Sequence, residues 1–412
     1  MKTSATKKAV AKVLLALVLP AVPLVAEADN SAAADWPNWR GANHDGVSNE
    51  RGWLTAWPKE GAKRLWTTEL GPGHAGVAVR GGKVYVMGRD GKQDVVFCFS
   101  ADTGATVWKH SYPAAESAYG QGPRATPAVD GKAVYTVSAD GQVFCLDVVS
   151  GQVIWGKNLQ EELDLAKPRH NFATAPIVEG ELLLLNMGES GLALDKRTGR
   201  VVWKSVGDSS YSSPVPFTLA GKRCVALFAA GGLTIVDLAG RQTVALYPWK
   251  TLDNANCADP VIVGDAIFIS SSYGRGCALL DVSGGTPTVR WKKGFECHYA
   301  TPVLAGDCLY VLAGSGWMRA DLVCVSVKDG SLRWRERDVG CGGLILADGK
   351  LLILSRRGDL IVAEASPTAY TEIGRATVFS TGACWNGPVL SDGRVYVRNE
   401  NGTLICLDLR GR

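Results

Sequence analysis

Residues 141–155 read GQVFCLDVVSGQVIW, and this phrase decides the fold. Val143, Cys145 and Asp147 fall on alternate positions, Ser150-Gly151 supplies a bend, and a second alternating run ends on Trp155. That is the pattern of two antiparallel strands joined by a tight turn. The phrase returns as FCFSADTGATVW at 97–108, GLALDKRTGRVVW at 191–203 and VCVSVKDGSLRW at 323–334, and with a two-residue insertion as ALLDVSGGTPTVRW at 278–291. The repeat, rather than any single motif, is the primary fact of the chain.

Each repeat opens with a first strand anchored at Val77, Pro127, Pro176, Pro214, Pro260, Pro302, Ile345 or Pro388. Seven intervals over 311 residues average about 44, the length of a propeller blade of four short strands. The fold expected is therefore all-β, an eight-bladed β-propeller of four-stranded blades over residues 64–412. The last strand of a blade ends at a wedge position read as Trp108, Trp155, Trp203, Val244, Trp291, Trp334 and Ile373. The eighth blade starts at Pro388 and reaches Arg412 with no room for a fourth strand. Upstream, Trp66 lies 11 residues before Val77, the spacing that also separates Trp203 from Pro214. The N-terminal strand is thus expected to complete the last blade and remove the exposed edge of an open ring.

The 412 residues are 46% hydrophobic and 20% charged with 48 glycines, which suits many strands and turns and excludes a disordered chain. Lys2, Lys7, Lys8 and Lys12 precede an apolar run from Val13 to Val25, and Ala26-Glu27-Ala28 has the spacing of a cleavage site, so residues 1–28 read as a signal peptide. The expected address is the periplasm or the exterior. Pro20 and Pro23 break the apolar run, which is short of the ~20 residues of a spanning helix, so no transmembrane anchor is expected. The first cysteine is Cys98, and no lipid anchor is expected. Cleavage removes four lysines and Glu27, a net +3 of the formal +4, and the remaining +1 gives no bulk attraction for nucleic acid. Residues 29–63 form a tryptophan-rich extension with Trp36, Trp39, Trp53 and Trp57, expected to pack along the outside of the repeat body. An aromatic platform for a ligand is its sharper reading. Of the eleven cysteines, Cys98, Cys145, Cys324 and Cys406 share one repeat position and are expected to be buried free thiols. Cys257, Cys297, Cys341 and Cys384 precede successive first strands, and their pairing is left open.

These AxDxxTGxxxW-like turns resemble the repeat of the PQQ-binding-like β-propellers, the superfamily of the quinoprotein alcohol dehydrogenases and the BamB-like propellers. The resemblance spans Leu65 to Leu409. The segment DWPNWRG at 35–41, with DGVS at 45–48, is similar to a leader found in exported bacterial proteins of this repeat family.

Such a meander places the first-to-second and third-to-fourth turns on one face, where they are short and uniform. Longer links lie on the other face, at 109–124, 156–172 and the hairpin tip 314–319, and long loops on a rigid frame are where binding concentrates. Three residues before their anchors on that face stand His74, Arg124, Tyr211, Tyr299 and Trp385, with Arg169, His170 and His298 nearby and Trp317 at the hairpin tip. This set is expected to bind an envelope protein or a small anionic or aromatic ligand. The bland alternative is a wet channel mouth. The resemblance implies, for a quinoprotein, calcium ligands, a catalytic aspartate and often a vicinal cysteine pair. Here Asn256, Asp259 and Glu296 are the only candidates near an anchor, and no two cysteines are adjacent. No catalytic residue, metal or cofactor is therefore expected, and a monomeric, non-catalytic binding or assembly scaffold of the cell envelope is favoured. The alternative is a PQQ-dependent quinoprotein oxidoreductase acting on alcohols or sugars.

Overall fold

The computed structural model describes Met1 and residues 35–58, 60–114, 122–314 and 319–411. The segment 1–28 that reads as a signal peptide, with the cleavage expected after Ala28, lies outside the described residues, apart from Met1. Eight antiparallel sheets are present, seven of them meanders whose four core strands follow the chain order. They occupy 78–113, 128–158, 177–204, 215–248, 261–293, 303–336 and 343–377, and the eighth combines 389–408 with Lys63–Glu69. Second and third strands such as KRCVALFA at Lys222–Ala229 and GLTIVD at Gly232–Asp237 are almost wholly buried, because neighbouring blades cover both their faces. Outer strands such as Thr106–Pro113 bury only part of one side.

One ladder recurs from blade to blade. A tyrosine of the second strand faces a cysteine of the third, which faces the wedge tryptophan of the fourth. The sets are Tyr85–Cys98–Trp108, Tyr135–Cys145–Trp155, Tyr310–Cys324–Trp334 and Tyr396–Cys406–Trp66. All eleven cysteines are free, and burial pushes the Cys98 and Cys145 thiols up to about 11 and Cys324 and Cys406 up to about 12. Each indole reaches the next blade. Trp108 Nε1 donates to Val148 O at 3.1 Å, Trp155 to Lys196 O at 3.0 Å, Trp291 to Val327 O at 2.7 Å and Trp334 to Ser366 O at 2.8 Å. The turn glycine lies against that ring: a Cβ on Gly151 would stand 2.5 Å from Trp108, and one on Gly199 2.8 Å from Trp155. Both glycines also hold positive φ, so no other residue fits. The TG of the turn and the tryptophan of the preceding blade are two halves of one joint.

Two wedge positions differ from the sequence reading. In every blade the fourth strand carries a β-bulge just before the wedge, between positions such as Val153 and Trp155. In the fourth blade the residue facing Ile235 is Ala245, and Val244 is the bulged residue. In the seventh Gly374 faces Val362, and Ile373 is the bulged residue. The extra residue shifts the count by one, which alternation alone does not reveal. Trp57 and the Thr55 carbonyl lie over Gly374, where another blade would carry a tryptophan.

The ring closes as expected. Lys63–Glu69 pairs with Thr403–Asp408 as the outer strand of the last blade, from Lys63 opposite Asp408 to Glu69 opposite Thr403. Trp66 Nε1 donates to Ala101 O of the first blade at 2.9 Å. The buried Arg398 guanidinium donates to Gly73 O, Ala75 O and Met87 O at 2.8, 3.1 and 2.7 Å. Arg394 pairs with Asp102 across the same junction.

The tryptophan-rich segment does not pack wholly along the outside, as the sequence reading has it: residues 36–48 run through the central channel, and the chain then continues against the eighth and seventh blades, where Trp53 bridges Arg410 and Trp57 lies over Gly374. Trp36 exchanges backbone hydrogen bonds of 2.8 Å with Val79 on the innermost strand of the first blade, and Pro37 O accepts from Val129 N at 2.8 Å in the second. The chain reverses through left-handed Arg40, Gly41, His44 and Gly46 and leaves as Val47–Ser48, parallel to the innermost strand of the seventh blade. Arg40 donates to Thr301 O at 3.0 Å and Pro302 O at 2.8 Å in the sixth. Glu50 then caps Asp392 N and Gly393 N, and Leu54 N donates to Leu409 O at 2.7 Å. Trp36, at 4% exposure, joins the same core cluster as Trp53 and Trp66. An eight-bladed ring leaves an axial space with unpaired inner strand edges, which Trp36 and Trp39 enter, while Trp53 and Trp57 pack against the eighth and seventh blades beyond it.

Two outcomes follow for stability. Replacing Trp66 by Phe keeps the ring but removes the bond to Ala101, whereas Trp203 Nε1 has no acceptor. Chemical denaturation should therefore show Trp66→Phe to be more costly than Trp203→Phe by about 1 kcal/mol, and equal losses would contradict the joint. The second concerns acid. Burial holds His44 of the channel segment at about 4 against an ordinary 6.5. The folded state keeps it neutral while the unfolded state takes up the proton, so stability is lost as pH falls from 6.5 towards 4. The loss between pH 7 and pH 5 should be about 2 kcal/mol for this group, and His44→Gln should remove that share of the slope in unfolding measured at the two pH values.

Candidate functional site

Seven of the residues expected at the channel rim are brought together. His74, Arg124, His170, Tyr211, His298, Tyr299 and Trp385 line one cavity of about 410 Å³ on the long-loop face. They come from the links between blades, which a buried polar network fixes. Asn256 Nδ2 donates to Ala229 O at 2.8 Å and Trp249 O at 3.2 Å, while Ser210 Oγ donates back to Asn256 O at 3.0 Å. Asn186 Nδ2 donates to Ser212 O at 3.1 Å and Phe228 O at 3.2 Å. Backbone groups of the links thus find partners without sheet pairing.

Arg169 is not part of the lining. Its side chain is 54% exposed and bonds both Asp253 oxygens at 2.8 Å, latching the link before the third blade to the link before the fifth. Its outward position is the physical reason it misses the cavity. Trp317, with residues 315–318, lies outside the described residues, as do 115–121 of the first long link.

The channel segment supplies the floor. Trp39 at its apex lines the cavity and donates from Nε1 to Asp259 Oδ2 at 2.6 Å; Asp259 Oδ1 accepts from Ser213 N at 2.6 Å. Burial pushes the Asp259 carboxyl up, opposed by Arg40 below it and by these donors. Burial also works to raise Glu400, but Trp385 Nε1 at 2.8 Å and Ala383 N at 3.1 Å, with His74 and Arg356, hold it below its ordinary value. Asn386 Nδ2 donates to His74 O at 2.6 Å, tying the last link to the first. Arg356 lies 3.9 Å over the Trp385 ring and donates to the Tyr299 hydroxyl at 3.1 Å.

Three histidines face this space, and all are neutral near pH 7. Burial, then Arg124 and Arg398, hold His74 at about 4, burial holds His298 at about 4, and burial lowers His170. Burial also raises the Cys257 thiol to about 12. The lining therefore combines neutral imidazoles and other rings with the Arg124 guanidinium and the Glu400 carboxylate, and with Asp259 at its floor.

Sequence reasoning missed Trp39, Tyr273 and Glu400 as lining residues, and had Asp259 near an anchor only as a candidate calcium ligand. Tyr273 and Glu400 sit on the hairpins between second and third strands, which reach the same face as the links. That topology offered the signal for them. Trp39 carried only its place in an aromatic-dense segment.

A calcium and PQQ set does not fit this site. The lining holds two acids, Asp259 and Glu400, each already accepting from protein donors on both oxygens, against the six to eight oxygens that calcium takes. Among the described residues no three His, Cys, Asp or Glu side chains are grouped so as to hold a metal ion.

A family model described as outer membrane protein assembly factor BamB matches residues 50–118 and 92–336. The outer membrane protein assembly factor BamB of Shewanella oneidensis is 23% identical over 345 residues, covering 69% of this chain and 85% of that protein. Among solved structures, BamB from Moraxella catarrhalis is similar with a TM-score of 0.64 at 15% identity, over 85% of this chain and 99% of its own. The quinohemoprotein alcohol dehydrogenase from Comamonas testosteroni gives 0.71 at 14%, over 93% and 82%. At such identities the structural likeness speaks to fold alone, and the two structures carry unlike names. The extent of the family match, over more than half of the repeat body, is what places the sequence: the chain belongs to the BamB-like family of PQQ-type β-propellers.

Proposed function

We propose that the protein is exported and works in the cell envelope as a non-catalytic binding or assembly scaffold, taking an envelope protein on its long-loop face in the manner of an outer membrane assembly factor. The observation that carries this reading is the state of the cavity acids. Asp259 and Glu400 hold Trp39 and Trp385 in place, and the histidines beside them are neutral. Each carboxylate is thereby tied to an indole that it positions, and among the described residues no three His, Cys, Asp or Glu side chains are grouped so as to hold a metal ion beside it. Membership of the BamB-like family supports the same reading. The oxidoreductase alternative shares the fold but lacks a fitting set of side chains.

The test is complementation. In a strain of the source bacterium lacking the gene, assembly of outer-membrane β-barrel proteins should slow, and the wild-type gene should restore it. Arg169→Glu and Trp317→Ala should restore it less well than Lys132→Glu or Arg197→Glu on the uniform-turn face. Equal rescue by all four variants would count against the surface assignment. Steady dye reduction by the purified protein with alcohols, requiring both PQQ and Ca²⁺, would overturn the scaffold reading.

A further inference from the structure

We propose that the corner of the long-loop face between the fourth and fifth blades is the docking surface for an acidic protein segment that also carries apolar side chains, received by Lys250, Arg275 and Lys292 together with Leu252 and Tyr273. The inference rests on the scaffold reading and adds to it a place on that face and the chemistry of the partner.

The first ground is a cluster of cations that meets no acid. Trp249, which follows the fourth blade's outer strand Gln242–Pro248, is fully buried and donates from Nε1 to Ser271 Oγ at 3.2 Å. Arg275, in the hairpin between the second and third strands of the fifth blade, lies 4.6 Å over that ring. Lys292, at the long-loop end of the outer strand Thr288–Lys293, lies 5.1 Å from the same ring. Both are within cation–π reach, so a pinned indole holds two positive charges in place, and Lys250 stands exposed next to it in sequence. Elsewhere on this face Arg169 meets Asp253, Lys167 meets Asp140 and Arg357 meets Asp338. Among the described residues Lys250, Arg275 and Lys292 form no ion pair, and the buried Arg275 Nε has no hydrogen-bond partner. Like charges gathered without counter-charges repel one another, and an acidic partner relieves that repulsion.

The second ground is the apolar surface beside these charges. Leu252 is 62% exposed and Tyr273 44%. Their backbone is fixed in position. Leu252 precedes Asp253 and Asn254, left-handed at φ 56° and 52°, and Tyr273 stands at φ 63°, a conformation that a bulky residue adopts only where its surroundings impose it. Arg169 bonds both Asp253 oxygens, and Ser210 Oγ donates to Asn254 O at 2.6 Å. A surface already rigid loses little ordering entropy when it is covered. The third ground separates a protein segment from an anionic membrane. Asp208, which accepts from Asn254 Nδ2 at 3.1 Å, and Glu189 on the third-blade hairpin stand exposed beside this corner. A flat anionic bilayer would meet these acids together with the cations, whereas an extended segment lies along the basic corner alone.

Fluorescence anisotropy with labelled synthetic peptides reads this surface directly. A peptide alternating glutamate with leucine is expected to bind the purified mature protein saturably, with an affinity that falls as salt is raised from about 50 mM to about 300 mM. The same peptide with glutamine for glutamate, or with serine for leucine, should bind at least about tenfold more weakly. Lys250→Glu and Lys292→Glu should each lower the affinity at least about fivefold, and Leu252→Ser should lower it without changing the salt dependence. Lys132→Glu and Arg197→Glu on the uniform-turn face should leave it unchanged. The substituted side chains at 250, 252 and 292 are exposed, and far-UV circular dichroism checks that each variant is folded. Absence of saturable binding up to about 1 mM, equal affinity for the glutamine peptide, full affinity in both lysine variants, or binding to phosphatidylglycerol vesicles that the same substitutions abolish would overturn the proposal. Complementation keeps the two claims apart. A Lys250→Glu, Lys292→Glu double variant that restores barrel assembly as fully as wild type overturns this surface and leaves the scaffold reading standing, whereas a deletion strain with no assembly defect overturns the scaffold reading and leaves the peptide titration as the judge of the surface.

Discussion

The structure depends on a joint between neighbouring blades, in which the indole of one fourth strand lies on the turn glycine of the next blade and donates to a carbonyl of that turn. The apolar contact supplies most of the energy, since truncating a buried tryptophan typically costs about 3–5 kcal/mol against about 1 kcal/mol for the hydrogen bond. The bond fixes the angle at which the sheets meet. Glycine is obligatory because a Cβ at Gly104 would stand 2.7 Å from the Trp66 ring. The joint between the last and first blades uses the same parts as those made by Trp108, Trp155 and Trp291, with the N-terminal strand supplying the indole. Closure is therefore one more instance of a repeated contact, reinforced by Arg398.

Closing the ring creates an axial space that the repeats do not fill, and residues 36–48 fill it. The segment enters beside the first blade, bonds to the second, turns on Arg40 and leaves beside the seventh. Arg40 brings a positive charge into the interior, where four carbonyls receive its guanidinium and Asp259 lies close enough to act on it electrostatically. Such burial is tolerable only because the donors are met. The same apex places Trp39 beneath the long-loop face. The floor of the cavity is thus made by a part of the chain that belongs to no blade, and its walls by links belonging to nearly every blade.

What was legible in the sequence followed the periodicity of the structure. The anchors, the four equivalent cysteines and the closing strand repeat, and counting from them placed seven rim residues in one cavity. The bulge before each wedge repeats too, but it inserts a residue without altering alternation, so Val244 and Ile373 stood where Ala245 and Gly374 belong. Arg169 lay near the rim in sequence, yet its side chain turns outward to Asp253. The channel segment was beyond this reasoning. It has no internal period, and its partners, such as Val79, Asp259 and Leu346, are remote in sequence and themselves unremarkable core or link positions. Density of tryptophan announced burial but not its location.

Residues 36–48 are an integral part of the propeller axis rather than an appended strap. Native-state hydrogen exchange followed by mass spectrometry tests it directly, because the amides of Trp36 and Gly46 are bonded within the channel. If the account is right, peptides covering 36–48 exchange only through openings as rare as those of the innermost strands, and their protection falls together with that of 343–347 as denaturant is raised. Exchange of these peptides within seconds, while the innermost strands stay protected, would contradict it.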